Sequence, residues 1–97
     1  GHFVRYYLSA LLWAEVLPGH KTLLHFANRK EVVLHKSLAV VEKSLTCPPF
    51  LRISRVEVIN LEGVEQFSEK EVSLAGRTFR IGRSYRSAFL LAITLPG

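Results

Sequence analysis

The chain of 97 residues contains no aspartate, so glutamate supplies all eight of its acidic side chains. Calcium loops, magnesium sites and many catalytic carboxylate pairs depend on aspartate, and its absence argues against metal-dependent and most hydrolytic mechanisms. No local nucleophile motif such as G-x-S-x-G occurs either. We therefore expect a protein that is not an enzyme and that holds no cofactor.

Cysteine occurs only once, at Cys47, which excludes a disulfide within the chain. A fold without disulfides depends on its core and suits a reducing compartment, so we expect a cytoplasmic protein. His20, His25 and His35 could join Cys47 as metal ligands by type, but the spacing matches no usual zinc motif. We expect no metal site, and we interpret His25 and His35 as residues of apolar strands that serve the fold.

Long apolar segments are missing as well. No apolar run approaches the roughly 20 residues that a membrane-spanning helix needs, and the N-terminus lacks a basic region leading into a small-residue cleavage site. Because 48% of the residues are hydrophobic, the chain is suited to one compact domain with one core. We expect residues 1–97 to form that single domain, without a membrane partner.

Positive charge is concentrated at one end of the sequence. The formal net charge is +5, residues 1–76 carry nine Lys or Arg against eight Glu, and residues 77–97 carry four Arg without any acid. A guanidinium presents a planar fork of donors that binds phosphate oxygens or a guanine edge. The segment with Arg77, Arg80, Arg83 and Arg86 therefore predicts nucleic-acid binding; the alternative is a solvated strand edge and helix face.

Short strands dominate the predicted secondary structure. Segments rich in β-branched and aromatic residues are separated by polar and glycine-containing turns. The turns at 27–30, 68–70 and 75–77 indicate hairpins and therefore a mostly β, antiparallel fold. The strands are predicted at residues 3–8, 11–17, 21–26, 31–35, 50–53, 56–61, 64–67, 71–74 and 78–81.

Two short helices complete the prediction. Leu38, Val41 and Leu45 fall on one helical face behind Ser37 as N-cap, and this central helix is ended by the prolines at 48 and 49. A C-terminal helix is predicted at residues 84–91, and residues 93–97 are expected to fray or to belong to a longer parent protein. The apolar face of the C-terminal helix would carry Tyr85, Ala88, Phe89 and Ala92.

Several segments carry a resemblance to a known family. Residues 19–26, GHKTLLHF, are similar to the first loop of that family and the strand after it, and residues 35–42 are similar to the family's helix that follows. Residues 50–60, FLRISRVEVIN, are similar to a block that is usually F-x-R-x-H-R-S-x-x-V-N, and residues 81–86, IGRSYR, to a closing S-R-R-Y-R segment. Together they make the chain resemble the LytTR DNA-binding domain, found at the C-terminus of many bacterial response regulators.

The resemblance implies an elongated fold that binds promoter DNA through loops in successive major grooves. The partner would be double-stranded DNA, with two copies as a homodimer on paired half-sites, and no small-molecule substrate. The chain would be the output domain of a longer regulator of the two-component type. By position, the resemblance implies base contacts for His20, Arg55 and Arg83, and phosphate contacts for Lys21, Lys36, Arg52, Ser84 and Arg86.

The middle loop departs from the family pattern, since Ser54 replaces the usual histidine and Val56 the usual serine. In a strand, Arg52 and Arg55 point in opposite directions, so they need not share a target. One of these arginines could be structural, with a glutamate such as Glu57 or Glu62 as its partner.

Two alternatives come from other classes of protein. The apolar segment at residues 89–95 suits a protein-interaction or dimerisation module that docks on an acidic partner or on a second copy. Single-stranded RNA binding on a β surface would need exposed aromatic rings. Tyr6, Tyr7 and Phe79 are the candidates for that role.

Overall fold

The computed structural model describes residues 5–45 and 49–94 and is mostly antiparallel β, as the sequence predicts. The molecule is elongated, with extents of 45 × 25 × 24 Å. The strands are β1 (Leu11–Leu17), β2 (Lys21–Phe26), β3 (Glu31–Leu34), β4 (Phe50–Arg52), β5 (Glu57–Asn60), β6 (Val64–Phe67), β7 (Glu71–Leu74) and β8 (Arg77–Arg80), and the α-helices are α1 (Leu38–Ser44) and α2 (Arg86–Thr94).

The strands form two sheets. A five-stranded sheet has the order β3-β2-β1-β5-β4, and a three-stranded sheet has the order β6-β7-β8. Thr22 of β2 pairs with Leu34 of β3. Glu15 of β1 pairs with Glu57 of β5. The β1–β2 turn, the end of β3 and the β4–β5 turn therefore lie at the same end of the five-stranded sheet.

Different elements cover the two faces of the five-stranded sheet. Side chains alternate along the strands, so Ala14 and Val58 face one cluster while Trp13 and Ile59 face the other. Helix α1 packs in the first cluster, and the three-stranded sheet packs with α2 in the second. The buried residues thus form two clusters instead of the expected single core, because a sheet that is apolar on both faces must be covered twice.

Helix α1 begins where the sequence predicts. The amide of Val40 donates a hydrogen bond of 3.3 Å to the side-chain oxygen of Ser37, which caps the helix. Leu38, Val41 and Leu45 are buried. The predicted apolar face of this helix is confirmed.

Helix α2 buries a face that differs in part from the prediction. Phe89 is fully buried, and Ile93 packs half-buried against the same cluster. Ala88 and Ala92 are exposed, although they belong to the predicted apolar face. The face that packs against the second cluster consists of Tyr85, Phe89, Leu90 and Ile93, so Ala88 and Ala92 lie beside it and face solvent.

The predicted strand at residues 3–8 is wrong for the described part of that segment. Residues 5–7 have no regular structure, and Leu8–Ala10 form a 3-10 turn. Pairing of β1 with β2 starts at Leu11 and Phe26. The ring of Tyr6 stacks on Phe26 at a centroid distance of 5.2 Å instead of extending the sheet.

The other predicted strands are present, with bounds shifted by no more than one residue. Strand β8 begins earlier than predicted because the hairpin turn consists of only two residues. Ala75 and Gly76 have φ of +52° and +75°, as a tight hairpin turn requires, and Leu74 pairs with Arg77.

The predicted fraying at residues 93–97 is wrong for Ile93 and Thr94, which belong to α2. Residues 95–97 lie outside the described residues, as do Cys47 and Pro48. In the part of the chain that the structure describes, no helix is long and apolar enough to cross a membrane.

Candidate nucleic-acid interface

Three loops lie together at one end of the five-stranded sheet. We name them loop A (residues 18–20, between β1 and β2), loop B (residues 53–56, between β4 and β5) and loop C (residues 81–85, between β8 and α2). Strand register places loops A and B at that end. Loop C comes from the other sheet and joins them there, so the site combines segments distant in sequence.

Backbone hydrogen bonds connect the loops. The amide of Gly82 donates to the carbonyl of Ile53 at 2.8 Å, which ties loop C to loop B. The amide of Val16, two residues before loop A, donates to the carbonyl of Val56 at 2.9 Å. The amide of Ile53 donates to the carbonyl of Glu57 at 3.1 Å and closes loop B. The loops therefore share one hydrogen-bonded frame.

Loop A presents His20 to solvent. His20 has φ of +57°, in the left-handed region where few residues other than glycine occur, and it follows Gly19 with φ of +83°. Lys21 is half-buried as the first residue of β2. Both residues line a cleft together with Arg52, the last residue of β4, and Leu38, the first residue of α1.

Lys36 lies at the same end, between β3 and α1. Its side chain is exposed, and its carbonyl accepts a hydrogen bond of 2.9 Å from Oγ1 of Thr22. Thr22 is completely buried. This bond holds the segment with Lys36 against the strand that follows loop A.

Loop B contains one exposed arginine and is shaped by another. Arg55 is exposed. Arg52 points back into the protein, where Nε donates to the Ser54 carbonyl at 2.7 Å and Nη2 to the Arg55 carbonyl at 2.6 Å. Its Nη1 donates to Oε1 of Glu42 at 2.7 Å, which confirms a structural arginine with a glutamate partner, although that partner is Glu42 of α1 instead of Glu57 or Glu62.

Loop C presents Arg83 and Ser84, which are both exposed. Arg86, the first residue of α2, is half-buried, and its Nε donates to the carbonyl of Ile81 at 3.2 Å. That bond anchors the base of the Arg86 side chain beside loop C. Arg83 has the greater freedom to reach a ligand.

The other two arginines of the acid-free segment have different surroundings. The guanidinium of Arg77 lies 5.5 Å from the ring centroid of Trp13 and 5.1 Å from that of Phe79, with Nη2 3.7 Å from Oε2 of Glu15. Arg80 is exposed in strand β8. The arginine segment is therefore divided, because Arg77 bridges the two sheets and Arg80 lies at the end of β8, whereas Arg83 lies in loop C and Arg86 follows it directly.

The remaining histidines have separate environments. His25 stacks on Trp13 at 4.0 Å, with Nε2 3.0 Å from Glu15 and Nδ1 3.1 Å from Glu31, as expected of a residue that serves the fold. His35 is exposed beyond the end of β3, so its predicted place within an apolar strand is wrong. Within residues 5–45 and 49–94, no group of three or more His, Cys or Glu side chains is arranged so that it could hold a metal ion.

The aromatic surface proposed for single-stranded RNA is incomplete. Tyr6 and Tyr7 are exposed, but only 1% of Phe79 is accessible, in the cluster between the two sheets. A base could not stack on Phe79. The prediction that Phe79 contributes such a surface is wrong.

Sequence reasoning missed Glu42 and Thr22. Glu42 lies ten residues from Arg52 on another element, and no spacing rule connects the two. The burial of Thr22 could have been predicted from the sequence, because in β2 its side chain points to the same face as those of Leu24 and Phe26. A hydroxyl on that face is buried and must be hydrogen-bonded. Such a hydroxyl needs a partner, and the Lys36 carbonyl provides it.

A family model described as the LytTr DNA-binding domain matches residues 3–94. The chain belongs to this family. The resemblance carried by the segments around loops A, B and C is therefore confirmed, and the function of the chain lies in DNA binding.

A solved structure has the same fold as this LytTr domain. It is the LytTr DNA-binding domain of a methyl-accepting/DNA response regulator from Bacillus cereus, with a TM-score of 0.76 and 19% sequence identity. The match covers 90% of this chain and 84% of that chain. Comparison with curated proteins finds no match.

Proposed function

We propose that this LytTr domain binds double-stranded DNA sequence-specifically, with loops A, B and C in the major groove, as the output domain of a two-component transcription regulator. The observation that carries the proposal is that cationic side chains from loops distant in sequence lie together at one end of the sheet, on one hydrogen-bonded frame. The response-regulator description of the Bacillus cereus domain supports the output role.

The helices are poorly suited to base recognition. A recognition helix presents Arg, Lys, Asn or Gln to base edges in the major groove. The exposed residues of α1 are Ala39, Val40, Lys43 and Ser44, and the exposed residues of α2 are Ser87, Ala88, Leu91, Ala92 and Thr94. Lysine occurs once among them and the other three types do not, which favours recognition through loops.

Within the loops, the exposed tips suit base contact. Arg55 and Arg83 can each donate two hydrogen bonds to O6 and N7 of guanine, and the imidazole of His20 can contact a base edge. The flanking side chains suit phosphate contact, which positions the duplex without specifying its sequence. Those flanking residues are Lys21, Lys36, Ser84 and Arg86.

Two copies would bind two half-sites, since a promoter site read by short loops gains specificity when a pair of domains occupies it. Selection of bound duplexes from a random pool tests both points. A single recovered motif supports sequence specificity, and two such motifs at a fixed spacing support the pair. A pool without enrichment, together with no shift of random duplex at low salt, would instead favour the protein-interaction module.

A matched pair of variants tests the site itself. Arg55→Ala/Arg83→Ala removes two charges from the proposed interface, and Arg29→Ala/Lys30→Ala removes two charges from the turn at the opposite end of β2. The first variant should lose the preference for the selected duplex over a random one, measured by fluorescence anisotropy. The second should keep that preference. Equal effects of both variants would show that net charge alone accounts for binding.

A further inference from the structure

We infer that Arg52 acts in DNA recognition as a positioning residue, coupled through Glu42 to helix α1, and does not bind phosphate. The inference rests on the proposed function of loop B.

The donors of Arg52 are directed into the protein. Phosphate is gripped best by two parallel N–H groups on one edge of a guanidinium. On the edge formed by Nε and Nη2, the carbonyls of Ser54 and Arg55 already accept hydrogen bonds of 2.7 Å and 2.6 Å. On the other edge, a phosphate would meet the Glu42 carboxylate, whose Oε1 lies 2.7 Å from Nη1. Both edges are therefore unfavourable for a second anion.

The same hydrogen bonds fix the backbone of loop B. Two consecutive carbonyls, on either side of the Arg55 nitrogen and α-carbon, are bound to one rigid planar group. Oγ of Ser54 accepts from the Val56 amide at 3.1 Å and lies 3.1 Å from Oε1 of Glu57, to which it donates. The peptide units around Arg55 are thus anchored, while its side chain stays exposed.

Glu42 extends this anchor to helix α1. The helix is held in the first cluster by Leu38 and Val41, which are buried. The Glu42 carboxylate reaches from it to Arg52, whose side chain is only 21% exposed. Helix α1 therefore supports loop B through the ion pair between Glu42 and Arg52.

Electrostatics and positioning predict opposite results for Glu42→Ala. The substitution deletes an acidic group near DNA, so charge alone would tighten binding to every duplex. Alanine also maintains helix propensity. If Glu42 positions loop B, binding to the selected duplex should weaken by about tenfold, the loss expected for one charge-assisted hydrogen bond. Binding to random duplex should not weaken.

The decisive measurement compares Glu42→Ala with Glu69→Ala, which makes the same charge change in an exposed turn, by anisotropy with selected and random duplexes. The positioning role requires that the ratio of affinity for the selected duplex to affinity for random duplex falls in Glu42→Ala and does not fall in Glu69→Ala. The role also requires that Arg52→Lys, which keeps the charge but loses the planar fork, has a lower ratio than the wild type.

A second readout separates positioning from general destabilisation. Arg52→Ala should relax preference at the base position that Arg55→Ala relaxes, and the double variant should lose little more than either single variant. The salt dependence of binding by Arg52→Ala should match that of the wild type. If Arg52 contacted a phosphate, its loss would instead reduce the slope of log affinity against log salt by about 0.9. Thermal melts show which variants are folded at the assay temperature, and Glu42→Ala provides the test if Arg52→Ala unfolds.

The outcomes distinguish the two proposals. A wild-type domain that selects no sequence, or an Arg55→Ala variant that alters no base position, overturns the proposed function of loop B. A domain that selects a sequence, responds to Arg55→Ala, and binds as well with Glu42→Ala as with Glu69→Ala overturns the positioning role alone.

Discussion

The backbone amide of Gly82 donates a hydrogen bond of 2.8 Å to the carbonyl of Ile53 and so connects loop C directly to loop B. Ile53 is completely buried, so its carbonyl depends on partners within the protein. Gly82 has φ of −59°, a value that proline also adopts. This position therefore allows the donor to be removed without demanding a new backbone angle.

Gly82→Pro should weaken recognition through loss of this bond. Proline has no N–H, and its Cδ takes the place of the amide hydrogen, so the Ile53 carbonyl loses its donor and must move away from the ring. The expected cost is at least about 1–3 kcal/mol in the free energy of unfolding. The spacing of Arg55 and Arg83 should loosen at the same time, which lowers affinity for the selected duplex. Urea unfolding and anisotropy measure the two effects.

Gly82→Ala is the matched control, because it keeps the N–H. A Cβ at this position would lie 3.0 Å from Cδ2 of Tyr85, so the ring must move by a few tenths of an ångström. We expect a smaller loss of affinity than with proline. If both variants bind selected DNA equally well, the bond between loops B and C has no part in recognition.

Replacing Arg83 and Arg86 by alanine should change DNA binding in different ways. Arg83 is exposed in loop C, and loss of a bidentate contact to guanine should cost about 1–3 kcal/mol and relax preference at one base position. Arg86→Ala should weaken all duplexes alike and reduce the salt slope by about 0.9, as loss of one phosphate contact does. Anisotropy titrations over a range of salt concentrations check this, and equal, sequence-independent losses would remove the base-contact role of Arg83.

Local patterns predicted the elements of this fold well. Strands β6 and β7 have the predicted bounds because polar turn residues flank short alternating segments, and Ser37 caps α1 because a hydroxyl before an apolar helical stripe is a strong local signal. The strand prediction is wrong for residues 5–8, because it relied on aromatic residues that suit a strand, whereas pairing of β1 with β2 begins only at Leu11.

The site could be predicted only where it depends on single segments. His20 in loop A, Arg55 in loop B and Arg83 in loop C are exposed, which their proposed base contacts require. The bonds from Gly82 to Ile53 and from Arg52 to Glu42 join elements whose proximity depends on how the sheets and α1 pack. No periodicity or spacing within one segment contains that information.

Arg77 should contribute to stability and little to recognition. Its guanidinium lies over Trp13 and Phe79, and cation–π contacts at partly exposed sites contribute about 0.5–1 kcal/mol. Arg77→Ala should therefore lower the melting temperature by several degrees, since about 1 kcal/mol corresponds to roughly 4–8 °C in a domain of this size. Arg80→Ala makes the same charge change at an exposed position of β8 and should leave the melting temperature almost unchanged. The two variants should bind DNA alike, and a selective loss of affinity in Arg77→Ala would place that residue in the interface.

Asn60 should contribute to stability and not to recognition, although it belongs to the segment at residues 50–60 that resembles the family pattern. It is 4% exposed, its Nδ2 donates to the Leu11 carbonyl at 2.9 Å, and its Oδ1 accepts from the Glu62 amide at 2.9 Å. Asn60→Ala loses both bonds and should cost about 1–3 kcal/mol. Asn60→Asp keeps the acceptor but buries a charge that faces the Leu11 carbonyl, and it should cost about 3–5 kcal/mol.

The control for this prediction is Asn28→Asp, which makes the same chemical change in the exposed β2–β3 turn. Oδ1 of Asn28 only accepts a hydrogen bond, from the Lys30 amide at 3.3 Å, and a carboxylate can do the same. Urea unfolding should therefore show little change for Asn28→Asp and a large one for Asn60→Asp. Variants of Asn60 that remain folded should retain the affinity and base preference of the wild type, because the side chain is buried away from solvent. Altered base preference in a folded Asn60 variant would show that this residue acts in recognition as well as in folding.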